Sequence, residues 1–364
     1  MLQERLNALL KRLAPRPKPL LGLDISSSAV KIVELSQSAT GFHVENYVTE
    51  LLPRDAVVDG NLSDLEVVSE AVKRALRRIN SRTRTAAMAL PASAVITRKV
   101  VMPDAPNEDE LEVQVESEAN QYIPFALDEV NLDFQKIGPA PDGAEGEIEV
   151  LIAASRKDRV EDRVAAAQAA GIKVQVMDVD AYAIQAAVEL IQRRLPGGAR
   201  KQVISLVDIG ASTLRVTMYH EGAQVYLREQ QVGGNTLTSE IAQHFSISME
   251  EAENAKRQGN LPESYLAEVL QPFRENLALE IARAHQFFYT STPYSHVDHV
   301  ILAGGCASLP GLEEAVSART QVNTFIANPF ARMTLASGIK ARQLAADAPG
   351  LLTACGLALR SFDA

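Results

Sequence analysis

The chain has 364 residues, 46% of them hydrophobic and 23% charged, with a formal net charge of −10. That length suits two or three compact domains or one large two-lobed one, with enough apolar residues for sizeable cores. The acidic balance argues against a nucleic-acid partner, which would need a clustered basic surface.

The start, 1-MLQERLNALLKRLAPRPKP-19, repeats Leu2, Leu6, Leu9, Leu10 and Leu13 at helical spacing among Arg5, Lys11, Arg12, Arg16 and Lys18. Two readings stay open here: a short helix that packs on the body or frays, or one that touches an anionic membrane surface. The segment lacks the continuous apolar core and small-residue cleavage site of a signal peptide. No apolar run in the chain approaches the ~18–20 residues of a membrane span.

After Pro19 the pattern is α/β. Residues 21–35 read as a hairpin whose first strand ends on Asp24, turns through Ser26, Ser27 and Ser28, and leaves with Lys31. A third strand is expected at 41–52. Leu65, Val68, Ala71, Val72, Ala75 and Ile79 then follow a helical period. Short strands follow at 86–91 and 94–103. Asn107 is placed to cap a helix, carrying Glu108, Asp109 and Glu110 in its first turn, that runs to about Tyr122 and stops before Pro124. A polar loop at 138–147 joins two more strands. Residues from about 82 to 155 therefore read as a small αβ unit inserted into a larger domain. A helix at 157–170, a strand at 172–180 and a helix at 181–194 come next, and Pro196, Gly197 and Gly198 end the run.

The opening pattern then recurs. Residues 205-SLVDIGASTLRVTMY-219 can be laid over 21-LGLDISSSAVKIVEL-35, with Asp208 on Asp24, Gly210 on Ser26, Ser212 on Ser28 and Arg215 on Lys31. Two strand–Asp–turn–strand units point to a duplicated domain. Backbone N–H groups in a turn of small residues can face a phosphate closely. The candidates are Ser26, Ser27 and Ser28 in one turn and Gly210, Ala211, Ser212 and Thr213 in the other. An aspartate at each mouth, Asp24 and Asp208, suits a hydrated Mg²⁺ held through water. Lys31 can place an ammonium on the phosphates. The bland alternative is two ordinary hairpins, each with a capping acid.

Three further patterns lie downstream. Residues 232-VGGNTLT-238 carry Gly233 and Gly234 into a helix. Residues 249-MEEAENAKRQG-259 put Glu253 and Lys256 three apart on one helix face, which in isolation also fits a solvated charged helix. Residues 298-DHVILAGGCASLPGLEEAV-316 set Gly304 and Gly305 between a strand and a helix, where a planar base could lie on bare backbone. Cys306 and Cys355 are far apart without CxxC spacing, which argues against a disulfide framework or a structural zinc and fits a reducing cytosol.

In this order the motifs resemble the actin-like ATPase superfamily of actin, heat-shock chaperone ATPase domains, sugar kinases and FtsA. The fold class this implies is α/β: an actin-like (ribonuclease H-like) duplicated two-lobed fold with a small inserted αβ subdomain in the first lobe. The implied organisation is an amphipathic segment at 1–19, a first lobe at 20–195 with its insertion at about 82–155, a second lobe at 196–345, and a C-terminal helix at 346–364 returning to the first lobe. The resemblance implies ATP or ADP with Mg²⁺ between the lobes. It also implies phosphate contacts at Gly233 and Gly234, since 232-VGGNTLT-238 resembles the relatives' GG(N/D)xxT turn that leads into a helix beside the phosphates. It further implies adenosine contacts from Glu253, Lys256, Gly304 and Gly305, and a water-positioning role for Gln185 in 180-DAYAIQAA-187.

Three local patterns, 118-EANQYIPFALDEVNLDFQ-135, 328-NPFARM-333 and 348-APGLLTACGLALR-360, resemble the PilM family of type IV pilus assembly proteins. That resemblance implies a cytoplasmic platform, peripheral at the inner membrane through PilN, that binds the cytoplasmic N-terminal peptide of PilN. It further implies indirect links to PilO and PilP, communication with the pilus motor ATPases, support of twitching motility, and self-association as an open question. Groove candidates are Tyr122, Ile123 and Phe125, for which the alternative is the core of the inserted unit. Ala211 stands where relatives often carry glycine, which implies slow ATP hydrolysis at most. An FtsA-like division protein and a small-molecule kinase remain the competing readings. Against them, the chain shows no basic amphipathic tail after 356–364 and no polar cluster for a second substrate.

Overall fold

The computed structural model describes residues 19–363 apart from 40, 142, 145 and 196–200. The amphipathic start, at 1–18, lies outside the described residues. In chain order the elements begin with β1 (Leu21–Ile25), β2 (Ala29–Ser38), β3 (Gly41–Leu51), the short pair β4 (Val57–Val58) and β5 (Asn61–Leu62), α1 (Leu65–Ile79) and β6 (Thr85–Leu90). Next come β7 (Ile96–Pro103), α2 (Glu108–Ala119), β8 (Val130–Pro139), β9 (Glu147–Arg156), α3 (Lys157–Ala169), β10 (Lys173–Val179) and α4 (Asp180–Gln192). The second half holds β11 (Val203–Ile209), β12 (Leu214–His220), β13 (Ala223–Gln230), α5 (Gly234–Phe245), α6 (Met249–Gln258), α7 (Gln271–Ser291), β14 (His299–Ala303), α8 (Leu312–Thr320) and β15 (Asn323–Ile326). The chain closes with β16 (Thr334–Leu335), α9 (Ala341–Asp347) and α10 (Leu352–Leu359).

The two main sheets repeat one topology. The first runs β10-β6-β1-β2-β3-β16 and the second β13-β12-β11-β14-β15. In each, the first three strands form an antiparallel meander, and two parallel strands extend the other side of the leading strand. Sequential hairpins followed by helix-borne crossovers produce this order, and the shared order shows the duplication in three dimensions.

Each sheet buries its outer face on its own helices. Val68, Ala71, Val72, Ala75 and Ile79 of α1 pack on Leu23, Val30 and Ile32. That helix begins where the Asp64 side chain accepts from the Val67 N–H and ends at a left-handed Asn80. Between the sheets lie α4 and α10. Ile184, Ala187 and Val188 of α4 share one core with Val33 and Leu35 of the first sheet and Ile204 and Leu206 of the second. The two lobes are therefore welded through a common layer of helix.

Two expected boundaries are corrected. The insertion does not begin near 82, because β6 is an inner strand of the first sheet, parallel to β1 and β10. The separate unit instead spans β7 to β9, a three-stranded antiparallel sheet with α2 against one face. Its core is its own: Val100, Met102, Leu111, Val115, Ile148, Val150 and Ile152. The alternating burial along β9 is the period of a half-buried antiparallel strand. The return to the first lobe also starts before 346, since β16 already pairs with β3 at Thr334 and His43.

Candidate functional site

The two aspartate-bearing hairpins match residue for residue. Asp24 lies opposite Lys31 in the β1–β2 ladder, and Asp208 lies opposite Arg215 in β11–β12. Each turn has four residues and closes in the same way: the Ser26 N–H donates to the Ala29 carbonyl at 3.0 Å, and the Gly210 N–H to the Thr213 carbonyl at 2.8 Å. Asp24, Ser26, Ser27 and Ser28 are half-buried, as are Asp208, Gly210 and Ala211, while Ser212 is exposed.

Gly304 and Gly305, expected to contact adenosine, join the second turn directly. β14 runs parallel to β11 with Ala303 beside Asp208, so Gly304 follows at the mouth of the turn. Gly304 has φ +85°, and a Cβ there would overlap the Ile209 carbonyl and sit 2.5 Å from Asp208 Oδ1. Glycine is required on both counts. A Cβ added at Gly305 would meet nothing within 4 Å, so this half of the pair opens onto space. A bare backbone ledge beside a carboxylate-bearing turn is the shape a base and ribose need.

Glu253 and Lys256 are not a solvated charge pair. They face the start of α5 from α6, 2.6 Å apart. Lys256 Nζ donates to the Gly234 carbonyl at 3.1 Å and to Thr238 Oγ1 at 2.7 Å. Burial raises the Glu253 carboxyl, but hydrogen bonds from Lys256, Thr238 and Arg257 outweigh it and hold the group down at about 2. This stabilises the fold above the ordinary glutamate value of 4.5 and is lost as pH falls from there towards about 2. Glu253→Gln should therefore flatten the acid limb of a melting-temperature profile in that window, and should cost about 1–2 kcal/mol at neutral pH after solvent screening.

Charged groups of both hairpins bear on Asp208. Burial pushes the Asp208 carboxyl up; Arg215 and Lys31 oppose this, while Asp180 and Asp24 add to it. Asp208 thus senses charges from both lobes. Lys31 Nζ lies 3.4 Å from Asp24 Oδ2. Arg215, its counterpart, turns instead to Asp180 Oδ2 at 3.1 Å and Glu229 at 3.1 Å. A half-buried carboxylate with a raised pKa is a group that a divalent cation would stabilise. Among the described residues no cluster of three or more His, Cys, Asp or Glu side chains could hold a metal alone. A magnesium ion that keeps its waters needs only one or two carboxylates beside phosphate, so Asp24 and Asp208 fit that role.

Two expectations fail on geometry. Gln185 does not face the turns: its amide donates at 2.6 Å to the Gly222 carbonyl, at the end of β12 remote from them. The cross-lobe helix presents its first residue, Asp180, to the turn instead. Gly233 and Gly234 stand beside the second turn as expected, but not as free phosphate donors. The Gly234 N–H is spent on the Gly210 carbonyl at 3.0 Å, and the Asn235 N–H on the Ala211 carbonyl at 2.8 Å. A Cβ on Gly233 would lie 2.6 Å from the Gly210 carbonyl. These glycines let the helix start press onto the turn.

Sequence reasoning missed Asp180 and Arg163. Asp180 heads the cross-lobe helix, but its partner is 35 residues away and no local spacing announces it. Arg163 sits in an alanine-rich helix yet is 3% exposed, and donates to the Ile25 carbonyl at 3.2 Å and the Gly60 carbonyl at 2.8 Å. A groove of about 850 Å³ beside the outer edge of β3, lined by Tyr47, Arg78 and Lys340 among others, contains none of the site residues.

In the inserted unit, Ile123 belongs to the core, whereas Tyr122 and Phe125 are 42% and 37% exposed. Each ring lies under a guanidinium, Arg98 over Tyr122 at 5.9 Å and Arg156 over Phe125 at 5.6 Å. Among the described residues, no helix is long and apolar enough to cross a membrane.

The family model described as type IV pilus assembly protein PilM matches residues 22–362. Among solved structures, the chain is similar to the PilM–PilN type IV pilus biogenesis complex, at 28% identity and a TM-score of 0.78, over 96% of this chain and 100% of that one. It is also similar to the ethanolamine utilization protein EutJ from Carboxydothermus hydrogenoformans, at 17% identity and a TM-score of 0.55, over 97% of this chain and 94% of that one. At that identity the second likeness carries the fold alone.

Proposed function

This chain belongs to the PilM family of type IV pilus assembly proteins and has their actin-like fold; on that premise, we propose that it is an ATP-binding platform that captures the cytoplasmic N-terminal tail of PilN. The observation that carries the nucleotide reading is the pair of register-matched turns, each with its aspartate, closed by the Gly304–Gly305 ledge. Asp24 and Asp208 would hold the waters of a magnesium ion, and Lys31 would release Asp24 to meet the phosphates. Ser27, Ser28, Ser212 and Thr213 line the phosphate side. Glu253 and Lys256, fixed to the start of α5, would flank the ribose. Mg-ATP, when bound, would supply the charge that lets the residues of both turns converge on it. Ala211 places a methyl group at the second turn, and the reading includes slow turnover on that ground.

The partner reading rests on the likeness to the PilM–PilN complex and on the exposed aromatic strip at the base of the inserted unit. Tyr122 and Phe125 offer apolar surface, and Arg98 and Arg156 offer charge. Through PilN the protein would sit in the cytoplasm at the inner membrane, join PilO and PilP, and report nucleotide state to the pilus motor ATPases that drive twitching motility.

A synthetic peptide of the PilN cytoplasmic tail should bind the full chain in isothermal titration calorimetry. Phe125→Ala should weaken it by about 1–2 kcal/mol, roughly tenfold. No heat of binding with or without Mg-ATP would reject the platform reading.

A further inference from the structure

The inserted unit is attached to the first lobe at two roots, one linked through Asp180 to Arg215 of the second hairpin and the other through Arg163 to the end of the strand before the first turn. The incoming root follows β6. Its first residue beyond Pro91, Ala92, donates its N–H to Asp180 Oδ1 at 2.9 Å. The other oxygen of the same carboxylate, Oδ2, accepts from Arg215 of the second lobe at 3.1 Å, and Arg215 stands opposite Asp208 in the ladder. The outgoing root is β9 running into α3. From α3 the buried Arg163 donates to the carbonyl of Ile25, the last residue before the first turn. The roots are also tied to each other, since Ser155 Oγ donates to the Ala94 carbonyl at 2.8 Å.

The duplication explains the arrangement. β6 lies parallel to β1 as β14 lies parallel to β11. Continuing the β1–β6 register places Leu90 where the second lobe has Gly304, and Pro91 where it has Gly305. The inserted unit thus grows from the first lobe's counterpart of the nucleotide ledge.

We propose that Asp180 and Arg163 are positioning residues through which occupancy of the two turns sets the orientation of the inserted unit. This rests on the nucleotide reading above. The two carboxylate oxygens of Asp180 divide between the root and the opposite lobe, so a shift of the second turn towards a bound phosphate pulls on Arg215, then Asp180, then Ala92. A carboxylate held between a guanidinium and a backbone N–H is a stiff, charge-assisted link. Arg163 fixes the other root to the first turn, so the inserted unit rotates about that anchor instead of following as a rigid appendage.

The test is hydrogen–deuterium exchange on the full chain, with Mg-ATP raised until the turns at 26–29 and 210–213 are themselves protected. In the parent protein, nucleotide should slow exchange in residues 92–96 by about tenfold. Asp180→Asn keeps an acceptor for Ala92 but removes the charge that holds Arg215, and it should abolish that response while the turns remain protected. Arg215→Gln breaks the same contact from the second lobe and should give the same loss, which covers the case in which the Asp180 variant does not fold. A root that responds in Asp180→Asn or Arg215→Gln as it does in the parent overturns the relay and leaves the nucleotide reading standing. Protected turns with a silent root in the parent do the same. Turns that no concentration of Mg-ATP protects overturn both.

Discussion

Mg-ATP at about one hundred times its Kd should raise the free energy of unfolding by about 2.7 kcal/mol, and Asp24→Ala or Asp208→Ala should each remove most of that gain. Ligand that binds only the folded state stabilises it by mass action, so the shift reports affinity directly. Each aspartate stands at the mouth of one turn, opposite its own cation in the ladder, and neither can stand in for the other. Without nucleotide the two variants should part company. Asp208 has its carboxyl pushed up by burial, so its removal relieves a desolvated acid and leaves the ligand-free protein as stable or slightly more so. Asp24→Ala strands Lys31, whose side chain is only 18% exposed, and should cost stability. Thermal unfolding with and without Mg-ATP measures all four quantities. An undiminished nucleotide shift in both variants would place the site elsewhere.

The largest effect on the fold is expected at the joint between the lobes. Gly356→Ala should destabilise the protein by about 3 kcal/mol, at the upper end of the usual cost of overpacking. A Cβ on Gly356 would overlap the Ala183 carbonyl of α4, and one on Gly22 would overlap the Ala354 carbonyl of α10. β1, α10 and α4 therefore stack backbone on backbone, and no side-chain movement can make room because the obstructing atoms are main chain. Gly338→Ala, with nothing within 4 Å of its added carbon, is the control and should fall within about 0.5 kcal/mol of the parent in urea unfolding.

The legible parts of this molecule were those written locally. The Asp24 and Asp208 hairpins share a spacing that survives in the ladders, and Asn107 caps its helix by accepting from Glu110 as its position suggested. The Gly304 turn could be read because a strand, two glycines and a helix are neighbours in sequence. Misreadings arose where function depends on distant pairing. Gln185 matched a local pattern, but the register of α4 against the second lobe is fixed by its packing on α10, and this carries Asp180 to the turn in its place. Arg163 carries no signal of its own within the helix at 157–170, because nothing nearby in sequence reveals that the Ile25 and Gly60 carbonyls need a donor. The start of the inserted unit was misplaced because β6 is short and apolar on both faces, a pattern shared by a central parallel strand and by the core of a small separate unit.

The inserted unit has a private core and enters and leaves the lobe at points that share a hydrogen bond. The parent sheet is complete without it, since β6 and α3 each keep their own partners. This makes the unit modular in a particular sense. A different module spliced between the same two points would leave the lobes built as they are, and it would inherit the hydrogen bonds that tie the attachment to Asp180 and Ile25.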